Sequence, residues 1–200
     1  MPSEEPIIEI KNSSGPSEKS SWQNVREWFQ VIVIALIVAL PIRFFIAEPF
    51  IVNGASMDPT FSTGQFLIVD RVTYRFENPH RGDVIVFEYP NNPSVYYIKR
   101  IIGLPGETVS IKNGKVTIIN TEHPAGFELT EPYIDASHIS VDTSKEVLGA
   151  TEYFVMGDNR AQSSDSRVWG PLEKHFIVGR PIVRLLPVNN IGILPGGYTE

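Results

Sequence analysis

The sequence predicts a mainly β protein: an antiparallel β-sheet domain carried behind one N-terminal transmembrane helix. Three observations lead to that expectation. Residues 28–47 carry a single charge, Arg43, among apolar side chains. Beyond them, short segments rich in β-branched and aromatic residues recur between Gly, Pro, Asn and Asp clusters. No apolar stripe of helical period and useful length appears after residue 48.

The 200 residues suit one domain with some additional chain. Residues 1–21 are rich in Ser, Glu, Pro and Gly without apolar periodicity, and are expected to form a disordered cytoplasmic tail. Residues 22–47 are expected to form a single transmembrane anchor. The uncharged part is short, but with Arg43 snorkelling to the interface the stretch reaches about 20 residues, enough for a bilayer. Trp22 and Trp28 suit one interface and Phe44 and Phe45 the other, and a membrane helix tolerates Pro41 near its end. A buried core helix would show a polar face, which residues 31–40 lack. A cleaved export signal needs small residues before the cut, and Phe45-Ile46-Ala47 places Phe there. Lys11, Lys19 and Arg26 precede the span and only Arg43 closely follows it. The N-terminus is therefore expected in the cytoplasm and residues 48–200 on the outer side (periplasmic, extracellular or lumenal) of a plasma or internal membrane.

Within residues 48–200 the expected strands are 66–69, 84–87, 95–102, 109–111, 116–119, 153–156 and 176–186. Asn113-Gly114 between two of them is a type I′ hairpin signal. Gly179 and Pro181 are expected to bend or bulge the last strand. Residues 120–150, mixed in composition, are expected to form a small cap excursion.

Composition excludes several chemistries. The net charge of −6 argues against a nucleic-acid partner. With no cysteine there is no disulfide framework, thiolate nucleophile or Cys-zinc site. His80, His123, His138 and His175 are scattered without metal-ligand spacing, and no phosphate-binding glycine loop is present. No metal and no organic cofactor are expected. A Ser-His-Asp triad, defined in space, is not excluded by spacing, although no Gly-x-Ser-x-Gly elbow supports it.

Three segments stand out. In Gly54-Ala55-Ser56-Met57-Asp58-Pro59-Thr60, small residues give a substrate backbone room to approach the Ser56 hydroxyl, although a serine beside glycine is ordinarily a loop residue. Lys99 interrupts an apolar strand beside Arg100. Alternation puts the two on opposite faces, one of them inward, and a solvated edge-strand lysine is the plain alternative. A buried lysine with its pKa lowered by roughly 3 units would instead accept the serine proton. Residues 157–167 are dense in small, polar and charged groups, suited either to a polar loop or to orienting that lysine.

Four blocks in order, together with the upstream anchor, resemble the bacterial type I signal peptidases. They are Ser56-Met57-Asp58-Pro59-Thr60; Arg81-Gly82-Asp83-Val84; Tyr97 through Lys99 and Arg100 to Gly106; and Gly157-Asp158-Asn159-Arg160 through Ser163, Asp165, Ser166 and Arg167 to Trp169-Gly170. The resemblance implies a β-sheet catalytic domain of signal-peptidase type and a Ser-Lys dyad serine protease. Ser56 falls on the nucleophile, Lys99 on the general base, and Ser163 on the hydroxyl that bonds the lysine amine. Arg100, Asp158, Asp165 and Arg167 fall on structural ion pairs, and Phe50, Val52, Phe61, Tyr97 and Ile98 on the substrate pockets. Gly54 stands where some members carry a hydroxyl, which leaves the oxyanion chiefly to the Ser56 backbone N–H. The expected partners are preprotein signal peptides, cut after Ala-x-Ala-like sites, and the lipid bilayer. The intact Ser56, Lys99 and Ser163 speak against the alternative of a membrane-tethered peptide-binding domain without activity. The apolar run at 28–47 speaks against a self-cleaving Ser-Lys regulator, which would normally carry a DNA-binding helical domain instead.

Overall fold

The computed structural model describes residues 21–41 and 47–197. Two compact units divide the chain, Met1–Pro41 and Ile42–Glu200. In the first, helix α1 (Ser21–Pro41) ends in residues 31–40, which are apolar on every face; Val31, Ile32, Ile34, Ile37 and Val38 are exposed. Among the described residues no helix is long and apolar enough to cross a membrane. The physical reason is that Arg26 and Glu27 sit in its first half, and the uncharged remainder rises only about 21 Å against about 30 Å of hydrocarbon. Of the span expected over residues 22–47, the described helix covers residues only as far as Pro41. Ala47 opens a β-strand, and residues 42–46, like most of the expected tail, lie outside the described residues.

The second unit is antiparallel β throughout. Strands β1 (Ala47–Ile51), β2 (Phe66–Asp70), β3 (Val84–Tyr89), β4 (Asn92–Gly103), β5 (Thr108–Lys112), β6 (Lys115–Ile119), β7 (Phe127–Glu128), β8 (Ser144–Val147), β9 (Glu152–Met156), β10 (Leu172–Glu173), β11 (Ile177–Leu186) and β12 (Gly192–Ile193) form two sheets. The larger runs β1-β2-β11-β3-β4-β9-β10 with β12 beside β11; the smaller runs β7-β6-β5-β8. All seven expected strands are present. Asn113 (φ 51°) and Gly114 (φ 78°) both have positive φ, as the β5–β6 hairpin turn requires. The register of β11 shifts beside Gly179 and after Pro181, as expected of those residues. The 120–150 excursion supplies β7 and β8, which border the β5–β6 hairpin on either side.

The site is positioned by β4. It starts exposed and ends buried on both faces: Ile101 joins a cluster with Ile85, Phe87 and Val155, while Ile102 joins Val109, Ile118 and Phe154. Lys99 and Arg100 enter this doubly covered stretch side by side. Both are therefore buried, at 3% and 1% exposure, which corrects the expectation that only one of them points inward.

Candidate active site

Past β1 the chain turns through residues 52–65 and is tied back on itself. Val52 N–H donates to the Gln65 carbonyl and Gly64 N–H to the Val52 carbonyl, each at 2.9 Å. Met57 and Phe61 sink into a cluster with Val52, Leu67 and Val84, and this anchors the turn beneath half-buried Ser56. Gly54 takes φ +105°, in the left-handed region that favours glycine. The Thr63 hydroxyl brackets it, accepting from the Gly54 N–H at 3.0 Å and donating to its carbonyl at 3.1 Å.

Lys99 Nζ lies 2.8 Å from Ser56 Oγ and 2.9 Å from the Ile98 carbonyl. Burial pushes the amine from its usual 10.5 down to about 8, against Asp165 and Asp158, which both favour the ammonium. About one such lysine in ten is then neutral at pH 7, against one in several thousand in water. The Ser56 hydroxyl thus sits beside an amine able to accept a proton near neutral pH.

The third wall is the loop following β9. Asp158 takes Arg100 bidentately, from Nε at 2.9 Å and Nη2 at 2.7 Å, and accepts the Thr60 hydroxyl at 2.6 Å. The pair is almost fully buried. Arg100 Nη1 also donates to the Gly82 and Gly196 carbonyls. Asp165 holds Arg167 at 2.8 Å through both oxygens and accepts the Gly157 N–H at 3.0 Å. Burial works to raise the Asp165 pKa, but Arg167, the Gly157 N–H and Ser163 together hold it below the usual carboxylate value. The expected ion pairs are thus Arg100–Asp158 and Asp165–Arg167. Asp158→Ala is expected to cost about 3–5 kcal/mol in urea unfolding, because it leaves the Arg100 guanidinium buried without its carboxylate.

A groove of about 300 Å³ runs along Ser56 and Lys99, walled by Phe50, Val52, Tyr97 and Ile98. Ile51, Tyr96, Gln162 and Ser164 also line it and were not singled out from the sequence. Two expectations are corrected. Phe61 is fully buried beneath the groove rather than lining it, because its ring fills the core under the Ser56 turn. Ser163 does not bond the lysine amine. Its hydroxyl is buried without a hydrogen bond of good geometry, though close enough to Asp165 to help lower that carboxyl. Lys99 turns instead to Ser56 and to the carbonyl of its own neighbour, Ile98. Among the described residues the Ser56 N–H has no acceptor, which leaves it available to a substrate oxygen. None of the four histidines lines the groove.

The family model described as "Signal peptidase, peptidase S26" matches residues 25–186. The protein named "Probable signal peptidase I-1" of Synechocystis sp. is 38% identical over 95% of this chain and 95% of its own. "Signal peptidase I" of Leptolyngbya laminosa is 41% identical over 84% of this chain and 83% of its own. A crystal structure of a signal peptidase I from Enterococcus faecalis aligns at a TM-score of 0.44 and 29% identity, covering 52% of this chain and 97% of that one. A match across most of the chain, with relatives of equal length, shows that the chain belongs to the signal peptidase family, peptidase S26, a family of serine endopeptidases.

Proposed function

We propose that this protein removes signal peptides from exported preproteins, with Ser56 as nucleophile and Lys99 as general base. The observation that carries the reading is the 2.8 Å approach of a buried amine, its pKa lowered to about 8, to a hydroxyl in a substrate-sized groove. Lys99 takes the Ser56 proton as Oγ attacks the scissile carbonyl, and the free Ser56 N–H steadies the developing oxyanion. The Lys99 ammonium gives that proton to the leaving amine as the tetrahedral intermediate collapses to the Ser56 acyl-enzyme, and the neutral amine so restored activates the water that hydrolyses the ester. The preprotein binds as an extended strand along the groove. The apolar side chains of Phe50, Val52 and Ile98 suit small residues before the cut, in an Ala-x-Ala pattern. No metal or organic cofactor takes part.

Residues 22–46 serve as the membrane anchor in this reading, with the N-terminus cytoplasmic and the β domain on the outer side. Its support is the all-round apolar, exposed surface of residues 31–40, which suits lipid, together with the residues that continue the apolar run toward β1.

The test is cleavage of a preprotein by the detergent-solubilised full chain. Mature-length product from the parent, and none from Ser56→Ala or Lys99→Ala, is expected; equal product from either variant sinks the assignment. Because the neutral amine is the active form, log(kcat/KM) should rise with unit slope up to about pH 8 and level off above it. A profile flat from pH 6 to 9 would contradict Lys99 as the base.

A further inference from the structure

On the loop after β9, Gly157 packs directly against the Ser56 backbone. A methyl group at its Cα would sit 2.3 Å from both the Ser56 carbonyl oxygen and Ser163 Oγ. The next contact along is the Asn159 N–H, which donates to that same Ser56 carbonyl at 3.0 Å. Wherever the Gly157 peptide goes, the backbone bearing the nucleophile must follow, because the two surfaces touch without slack.

Both hydrogen-bonding groups of Gly157 are held, and both holders are held in turn by one segment. The Gly157 N–H donates to Asp165 at 3.0 Å. Asp165 is gripped by Arg167, and Arg167 Nη1 reaches the Ser140 hydroxyl at 2.8 Å and the Asp142 carboxylate. The Gly157 carbonyl accepts from Arg160 Nε at 3.1 Å, and the far side of that buried guanidinium is taken by both oxygens of Glu131. Tyr133 donates to Glu131 at 2.9 Å, and the Arg100 guanidinium lies 3.9 Å from the centre of its ring. Glu131, Tyr133, Ser140 and Asp142 all belong to the arm between β7 and β8. Arg100, Arg160 and Arg167 of the large sheet and its loop therefore each end on the arm. A cavity of about 310 Å³ lies between arm and loop, bordered by Asp142, Thr143, Arg160, Ser163 and Arg167. At this border the coupling passes through the polar bridges rather than through close packing.

We propose that Glu131 and Asp142 are positioning residues for the Ser56–Lys99 pair, acting through the carbonyl and the N–H of Gly157. Neither carboxylate touches the groove. Glu131 fixes Arg160 and hence the Gly157 carbonyl; Asp142 fixes Arg167, hence Asp165 and the Gly157 N–H. The arm is part of the apparatus that sets the distance between nucleophile and base. The inference rests on the reading of Ser56 as nucleophile.

The experiment uses the full chain in detergent and the variants Glu131→Gln, Asp142→Ala and Asp142→Glu, with Ser56→Ala as control. Four quantities are read: kcat and KM on a signal-peptide substrate, the rate of phosphonylation by a small fluorophosphonate carrying no peptide, and the melting temperature. Displacing a reacting pair by a fraction of an ångström supports a loss of about 10-fold in kcat for Glu131→Gln and Asp142→Ala. The fluorophosphonate rate should fall in parallel, KM should stay within about twofold, and Asp142→Glu should restore most of the loss. Unchanged kcat and phosphonylation with only a lower melting temperature would overturn the proposal, as would a raised KM with normal phosphonylation, which would place the arm's influence on the groove. Should Glu131→Gln not fold, the Asp142 variants carry the test alone, since that carboxylate is half exposed and its loss strands no buried acid. Labelling that persists in Ser56→Ala would instead overturn the nucleophile assignment itself, a failure distinct from that of the arm.

Discussion

Lys99→Met is expected to be inactive yet more stable than the parent chain at neutral pH. Removing the base of a two-residue hydrolytic pair should lower kcat/KM by about 10,000-fold or more. The stability claim follows from linkage. Burial holds the folded-state pKa at about 8, below the ordinary lysine value of 10.5, so below pH 8 the folded chain carries a charge it would rather lose. That depression costs the folded state about 3 kcal/mol at pH 7. Methionine fills the alkyl path without a charge and gives up the contacts to Ser56 and the Ile98 carbonyl, worth about 1 kcal/mol each. The net expectation is a gain of about 1 kcal/mol at pH 7. Between about pH 8 and 10.5 the unfolded chain binds more protons than the folded one, so the parent gains stability with rising pH and Lys99→Met does not. The order of the two should therefore reverse at about pH 9, where the remaining cost of the depressed pKa falls below the roughly 2 kcal/mol of lost contacts, and the parent should be the more stable at pH 10.5. Urea midpoints at pH 7 and pH 10.5 decide it. A methionine variant less stable than the parent at both would mean that the amine is not strained. Lys99→Arg separates charge from proton transfer: a guanidinium keeps its proton in a protein, so this variant should be equally inactive and, with no neutral form to retreat to, less stable at both pH values.

Legibility in the sequence followed the range of the interaction that decides each feature. Strands β2, β3, β4, β5, β6, β9 and β11 announce themselves through β-branched and aromatic runs, and the β5–β6 turn through Asn113-Gly114. These signals are local. β1 was hidden because Ala47-Glu48-Pro49-Phe50-Ile51 continues an apolar run and carries a proline, and its pairing with β2 alone makes it a strand. β7, β10 and β12 are two residues each, too short for any period to register. β8, Ser144-Lys145-Glu146-Val147, is polar because it lies at a sheet edge. In the site, Ser56 and Lys99 were readable from ordered motifs, but their 2.8 Å approach joins positions 43 residues apart. The burial of Arg100 depends on Asp158, which lies 58 residues further on. Phe61 was misplaced because a phenylalanine beside a nucleophile serves equally well as pocket wall or as core, and only the surrounding cluster distinguishes them. Glu131 and Asp142 lie in a segment whose composition says no more than loop; what they hold is settled by arginines 29 and 25 residues away.

Gly157→Ala should be strongly damaging to activity, because the methyl group it adds falls between the Ser56 turn and the loop after β9. Gly157 does not adopt the left-handed backbone that favours glycine, so alanine meets no intrinsic strain there; the whole effect is contact. The added carbon would lie 2.3 Å from the Ser56 carbonyl oxygen, a backbone atom that cannot swing aside as a side chain can, and 2.3 Å from Ser163 Oγ. Relief requires the two loops to part by about 1 Å, which breaks the bond from the Asn159 N–H to the Ser56 carbonyl and draws Ser56 from Lys99. A displacement of that size costs on the order of 100-fold in rate, and overpacking of this kind costs about 1–3 kcal/mol in stability. Gly192→Ala is the control, since nothing lies within 4 Å of the carbon it would add and its backbone is not left-handed; it should match the parent in both respects. The loss in Gly157→Ala should fall on kcat and on phosphonylation by the small fluorophosphonate, with KM little changed, because Gly157 does not line the groove. A Gly157→Ala chain that keeps the parent's kcat would mean that the Ser56 turn moves freely against the loop. In that case neither Asp165 nor Arg160 could influence the nucleophile through this residue.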